Sequence, residues 1–365
     1  MKIQEPEIYE IDSGLENYDK VDVLVIKLGY GLTPLVMPEK HQDKFFNIIK
    51  LVKRELENKY GLVFPKTRIC DDSELGSDGY AIYINGVKAA QFAGMPYYSY
   101  LCLDLDCRKD GINGKVIKDP ICKQDSIVLS EEEALKAKEK GYKVFDFLNV
   151  FRAHYNTVLQ ENRTKILNQH LVNELIHIIR SRNPDVVDEV LYSKNYSISE
   201  IKIILNLLLK ESVSIHDIQT ILETLADYIE HKGEAVYLAG KIRKRFARQI
   251  LFTNSDHKQE LHVIKLSQEM NDFLSGKMKA TDSKIEIPVF DLSPDEKQKI
   301  NDKIDDVIKN WKDEELDPVF LCSDNIRFAL SDYYRCKNYS CISEDEFYEA
   351  GYDFSLKIEE TLSYE

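Results

Sequence analysis

Residues Ser197–Ile229 read SISEIKIILNLLLKESVSIHDIQTILETLADYI. Ser197 and Glu200 have the spacing in which a serine oxygen accepts the N3 amide while the glutamate reaches back to the cap amide, and Ser214 to Asp217 repeats it. Ile201, Ile204, Leu205 and Leu208 then share one helical face, and Ile218, Ile221, Leu222, Leu225 and Ile229 share the next. These are faces for a core, so the stretch predicts two short helices packed on neighbours. The same texture runs from Asn149 to about His262 without a credible strand.

Toward the N-terminus the pattern changes. Val21 to Leu28 (VDVLVIKL) is a near-continuous β-branched and apolar run closed by Gly29-Tyr30-Gly31 and Pro34, which predicts a buried strand and a tight turn. Phe45, Ile48, Ile49, Val52 and Leu56 recur at helical spacing, with Gly61 as a stop. Thr67 to Cys70, Tyr80 to Ile84 and Val87 to Gln91 read as strands, the last two joined by Asn85-Gly86, a pair suited to a type I′ turn. Tyr100 to Leu105 is a further strand, and Cys107 to Gln124 is polar and predicts a loop. Ser130 to Glu133 forms another capping box, opening a helix to Lys140 with Gly141 behind it and a strand over Tyr142 to Asp146.

From about His262 strands return. Ser293-Pro294-Asp295-Glu296 combines an N-cap, a first-turn proline and an N3 glutamate, and Pro318 to Cys322 and Ser340 to Ile342 read as strands. The fold class is therefore α+β with several subdomains, the third all-helical and the fourth α/β.

The chain has 365 residues, 49 basic and 63 acidic, a formal charge of −14. That field repels polyanions and argues against a nucleic-acid binder. From Asp291 to Glu365 there are 20 acidic and 9 basic residues, so this end faces water or a basic partner. No apolar run is long enough to span a bilayer, and Met1 to Asp12 lacks the basic-then-apolar order of a signal peptide. Seven cysteines without a CxxC pair fit reduced, cytosolic thiols.

Enzyme signatures are missing. There is no GxxxxGK[ST] loop, and Gly29-Tyr30-Gly31 lacks a third glycine. His170 and His177 lack HExxH, and Asp104, Asp106 and Asp110 in DLDCRKDG carry Arg108 and Lys115 where a calcium loop needs oxygens. The equal spacing of Cys102 with Cys107 and of Cys336 with Cys341 reads as coincidence. These residues give no catalytic group, metal or cofactor. One basic cluster, Lys241, Arg243, Lys244, Arg245 and Arg248, sits on a helix whose apolar side is Leu238, Ile242 and Phe246. It reads as a solvated face or a partner for acidic groups elsewhere, against a membrane or polyanion helix.

The run Leu28 to Val36 followed by an amphipathic helix, with Asn85-Gly86-Val87, resembles the start of the cytosolic domain of the bacterial type III export gate family, flagellar and injectisome. Asn206 to Asp217, Thr220 to Asp227 and Ala247 to Ile250 resemble that family more specifically, and the likeness extends from about Leu24 to Glu344. The resemblance implies a linker over residues 1–21 and a first α+β subdomain over 22–97 and 147–166. It also implies a small inserted subdomain over 98–146, a helical one over 167–246 and an α/β one over 247–365. It implies no covalent chemistry and no cofactor. Its implied role is a nine-membered ring that docks export chaperones carrying substrates, works with other export apparatus proteins and orders secretion at the cytoplasmic face of the membrane.

By the same resemblance the chaperone lands between the first two subdomains, in an apolar dimple beside an acidic residue matched by Asp119. Cys122 stands where an aromatic is expected and Ala153 where a small hydroxyl residue is expected before His154, which should weaken or redirect docking. Asp119 also reads as a plain turn residue before Pro120. Gly29 matches a glycine that tolerates no side chain, through backbone torsion or close approach. Family members carry an N-terminal transmembrane bundle, for which this sequence shows no counterpart. An excised domain and a stand-alone soluble adaptor or regulator both fit.

Overall fold

The computed structural model describes residues 22–37, 43–279, 287–309, 311, 318–334, 339–351 and 353–364. The expected linker 1–21, Val21 and Cys336 lie outside the described residues. The chain divides into two compact units: residues up to Glu57 with Val63–Ile166, and Asn58–Leu62 with Leu167–Glu365.

The first unit holds two four-stranded sheets. One has the order β2-β1-β3-β4, from β1 (Leu24–Leu28), β2 (Thr67–Asp71), β3 (Tyr80–Ile84) and β4 (Val87–Phe92). Strand β1 is parallel to β2 and antiparallel to β3, so Ile26 is flanked by Ile69 and Ile82. The β3–β4 turn has Asn85 at φ 50° and Gly86 at φ 77°, as the Asn-Gly pair predicts. Helix α1 (Lys44–Tyr60) buries Phe45, Ile49, Val52, Leu56 and Tyr60, the stripe read from the spacing, and Gly61 follows at φ 67°.

The other sheet runs β6-β7-β5-β8, from β5 (Tyr100–Cys102), β6 (Lys115–Lys118), β7 (Asp125–Leu129) and β8 (Val144–Asp146). The presence of β6 corrects the loop expected over Cys107 to Gln124. Its KVIK sequence hides the strand because both ends are charged and it lies at the sheet edge, where lysines guard exposed backbone. Ser130 caps α2 (Glu131–Glu139) as expected, but Glu133 does not close the box. Its carboxylate accepts from the Asn113 amide at 2.7 Å and from Lys136 at 2.8 Å instead.

Two more helices complete this unit. Asp146 caps α3 (Phe147–Glu161), accepting from the Asn149 amide at 2.8 Å, and the short α4 (Arg163–Ile166) follows. Helix α3 buries Phe147, Val150, Phe151, His154, Tyr155, Val158 and Leu159. Each large apolar side chain so buried contributes about 1.5–3 kcal/mol.

The second unit begins with α5 (Gln169–Arg182), α6 (Pro184–Asp188), α7 (Ile198–Lys210), α8 (Ile218–Asp227), α9 (Ala235–Arg245) and α10 (Ala247–Asn254). Ser197 and Glu200 form the predicted capping box on α7. For α8 the cap is Asp217, whose carboxylate accepts from the Thr220 amide at 3.0 Å. Ser214, four residues before Ile218, accepts instead from the His216 amide, which corrects the second box.

A parallel sheet follows, ordered β13-β12-β9-β14, with β9 (Glu260–Leu266), β12 (Val319–Cys322), β13 (Ser340–Ser343) and β14 (Ser355–Leu362). Helices α11 (Gln268–Gly276), α12 (Pro294–Lys309), α13 (Asp324–Tyr334) and α14 (Glu344–Glu349) accompany it, with a small pair β10 (Met278–Lys279) and β11 (Val289–Phe290). Met270, Leu274, Phe290, Ile300, Ile304, Phe320, Leu330 and Leu362 share one core. Strand β14 is absent from the sequence reading because SLKIEETL is mostly exposed and polar.

The basic cluster on α9 and α10 is consumed inside this unit. Arg243 lies 2% exposed, where its guanidinium donates from Nε to Glu346 Oε1 at 2.6 Å and from Nη2 to Oε2 at 3.1 Å. Its Nη1 lies 3.3 Å from Glu211 Oε2. Arg327, 1% exposed, donates to Glu211 at 2.5 Å and approaches Glu346 at 3.5 Å. Burial pushes the Glu346 carboxyl up, but Arg243 and Arg327 beside it bring it down to about 2. Burial likewise opposes the Arg243 charge, and Glu211 with Glu346 overcome it, so its pKa stands above the ordinary value.

The neighbouring cations meet acids too. Lys244 pairs with Asp345 at 2.7 Å and Asp324 at 3.0 Å, Arg245 with Asp227, and Arg248 with Asp353 at 2.9 Å. Lys241 sits over the rings of Tyr237 and Tyr228. Asp324, Asp345, Glu346 and Asp353 of the acidic C-terminal segment therefore neutralise part of this cluster. A partner for acidic groups, rather than a free polyanion-binding face, is what the cations provide.

Candidate functional site

Asp119, Cys122, Ala153 and Gly29 all fall in the first unit. Asp119 follows β6 and is 4% exposed. Its Oδ1 accepts from the amides of Ile121 and Cys122, both at 2.8 Å, and its Oδ2 from the Gln124 amide at 2.9 Å. The Asp119 amide closes the loop on the Gln124 carbonyl at 2.9 Å. Lys123 adopts φ 59° and donates to the Pro120 carbonyl at 2.6 Å. One carboxylate thus satisfies three donors that a tight reversal would otherwise strand. What the turn shows to solvent is Ile121, Cys122, Lys123 and Gln124.

Ala153 is exposed on α3, and His154 beside it is 3% exposed. His154 Nδ1 lies 2.8 Å from the Tyr80 hydroxyl. Burial lowers the imidazole to about 4, with the Lys123 charge adding to that effect and Asp119 opposing it. Burial pushes the Tyr80 phenol well above its ordinary range, so His154 and Tyr80 are both neutral near pH 7. Beneath them the Tyr80 ring meets Phe151 at 5.2 Å, Phe92 at 5.8 Å and Phe147 at 6.0 Å between centroids. This aromatic core holds the His154 turn of α3 in place.

Gly29 has an ordinary φ of −68°, so of the two readings close approach is the cause. Its amide donates to the Gly79 carbonyl at 2.7 Å. A Cβ there would collide with the Gly76 carbonyl oxygen and lie 2.9 Å from that of Ser77. The turn that follows is a short 3₁₀ segment, Tyr30–Val36, with Tyr30 84% exposed.

The remaining candidates are occupied in local structure. Asp104 caps the turn at Asp106, and Asp110 accepts from the Tyr142 hydroxyl at 2.7 Å. Burial pushes the Cys107 thiol up to about 11 and Cys341 to about 12, leaving little thiolate for nucleophilic attack. Among the described residues no helix is long and apolar enough to cross a membrane.

The FHIPEP family model matches residues 2–349. The flagellar biosynthesis protein FlhA of Treponema pallidum is 30% identical over 312 residues, covering 85% of this chain and 43% of that protein. The chain thus spans less than half the length of this curated relative and of its Borreliella burgdorferi counterpart. In fold it is similar to the Chlamydia pneumoniae CdsV protein solved in complex with CdsO, with TM-score 0.76 and 20% identity over 94% of this chain and 98% of that one. The nonameric EPEC SctV-C gives TM-score 0.68 and 17% identity over 93% and 98%.

Proposed function

The chain belongs to the FHIPEP family of type III export gate proteins, and from that premise we propose that it is a cytosolic docking and assembly domain. It receives export chaperone–substrate complexes, associates with further copies of itself in a ring, and helps order secretion. It does so through binding, without covalent catalysis. The family match across residues 2–349 carries this reading. Four subdomains, with bounds near 97, 146, 166 and 246, belong to the same proposal.

Docking falls at the turn Ile121–Gln124 and at Ala153, both exposed. Asp119 serves it as a positioning residue, because its carboxylate is spent on three backbone amides and lies 4% exposed. Ile121 and Cys122 then offer the apolar contact. The complex of CdsV with CdsO and the nonameric state of SctV-C support, respectively, export-apparatus partners and self-association.

Binding of export chaperone–substrate complexes from the same organism, measured by calorimetry, tests the site. Asp119→Ala should weaken binding at least tenfold while far-UV dichroism stays unchanged. Equal affinity of the variant and the parent would remove the proposed site.

A further inference from the structure

We propose that Asp256, Glu260 and His262 bind a divalent transition-metal ion, with Glu359 orienting the imidazole. Strand β9 supplies Glu260 and His262 on the same face, two residues apart, and the turn before it supplies Asp256. The Asp256 side chain is fixed: its Oδ1 accepts from the amides of Lys258 and Glu260, both at 2.8 Å, leaving Oδ2 to face the imidazole. Ligand atoms of the three residues lie within 4.8 Å of one another.

The histidine is held by its other nitrogen. His262 Nδ1 lies 2.7 Å from Glu359 Oε1, the carboxylate–imidazole pairing that sets the ring's orientation and tautomer at metal sites. A bulge makes this contact. The β14–β9 register passes from Ile358↔Val263 to Glu360↔Ile264, so Glu359 is the extra residue that the irregularity re-aims.

With Nδ1 engaged, Nε2 faces Asp256 Oδ2 and Glu260 Oε2, each at 3.8 Å, beyond hydrogen-bonding distance. The imidazole is only 12% exposed. A lone pair and two carboxylates converging there repel one another unless a proton or a metal ion stands between them. Ligand atoms about 2.1 Å from a tetrahedral zinc sit roughly 3.4 Å apart, so the two 3.8 Å separations from Nε2 need to close only slightly. The nitrogen favours zinc, nickel or cobalt over calcium or magnesium, and two carboxylates balance a divalent charge.

The chelator-stripped full chain should bind one Co²⁺ with visible absorption bands that Zn²⁺ displaces. His262→Gln should abolish them and Glu359→Gln should weaken binding about 10–100-fold, while His170→Gln, at an exposed histidine elsewhere in the same unit, should leave binding intact. Far-UV dichroism checks that each variant folds. Absence of saturable binding, the result expected if a proton alone sits at Nε2, would overturn the proposal. So would binding unaffected by His262→Gln, or lost equally in His170→Gln.

Discussion

In the first unit His154 and Tyr80 meet as neutral partners in an aromatic core, whereas in the second Arg243, Glu346, Arg327 and Glu211 share a buried pocket as four charges. Both arrangements pair polar groups cut off from water, although Arg327 Nη2 and Glu211 Oε2 keep no hydrogen bond in the cluster. They differ in what is left when one partner goes. A neutral pair leaves an unsatisfied hydrogen-bonding group; a charge cluster leaves an uncompensated ion, for which desolvation is far more costly.

The widest expected gap follows from single deletions. Glu346→Ala strips Arg243 of its bidentate partner and should cost about 3–5 kcal/mol in a denaturant melt. Tyr80→Phe leaves only the imidazole nitrogen unpaired and should cost about 1–3 kcal/mol. Equal losses would erase the distinction.

Acid should separate the units next. His154 is lowered to about 4 from 6.5. The unfolded chain therefore takes up a proton that the folded chain refuses, and stability falls as pH drops from about 6.5 to 4, by up to about 3 kcal/mol. Glu346, lowered to about 2 from 4.5, contributes stability that is complete above about 4.5 and is lost as pH falls toward 2. Local hydrogen exchange between pH 7 and 4 should show the first unit loosening first, and His154→Gln should flatten that slope. A slope unchanged by the substitution would contradict the neutral reading of the pair.

The smallest effect belongs to the rim of the charge cluster. Arg248 and Asp353 are exposed, so Arg248→Ala should change stability by less than about 1 kcal/mol, diminishing further in salt.

Legibility in the sequence followed the range of the interactions. The stripes of α1, α7 and α8 and the Asn85-Gly86 turn are local, and spacing displayed them. Arg243 was placed with its basic neighbours because Leu238, Ile242 and Phe246 already account for one apolar face. Its burial depends on Glu211, Arg327 and Glu346, and Glu346 lies 103 residues away. Strand β6 and strand β14 were hidden by edge polarity. At the candidate site, the type of residue at Asp119 and Gly29 was legible, but not how each works. Asp119 spends its carboxylate on its own turn, and Gly29 yields to a carbonyl nearly fifty residues downstream. The cluster at His262 needed the register of β9 against β14, which no spacing reveals.

The proposed docking at the Asp119 turn is tested most directly by Cys122, an exposed free cysteine within it. Its alkylation rate, followed by peptide mass spectrometry with Cys70 as internal reference, should fall at least tenfold under a saturating export chaperone–substrate complex while the Cys70 rate holds. A Cys122 rate unchanged by bound complex would contradict the account.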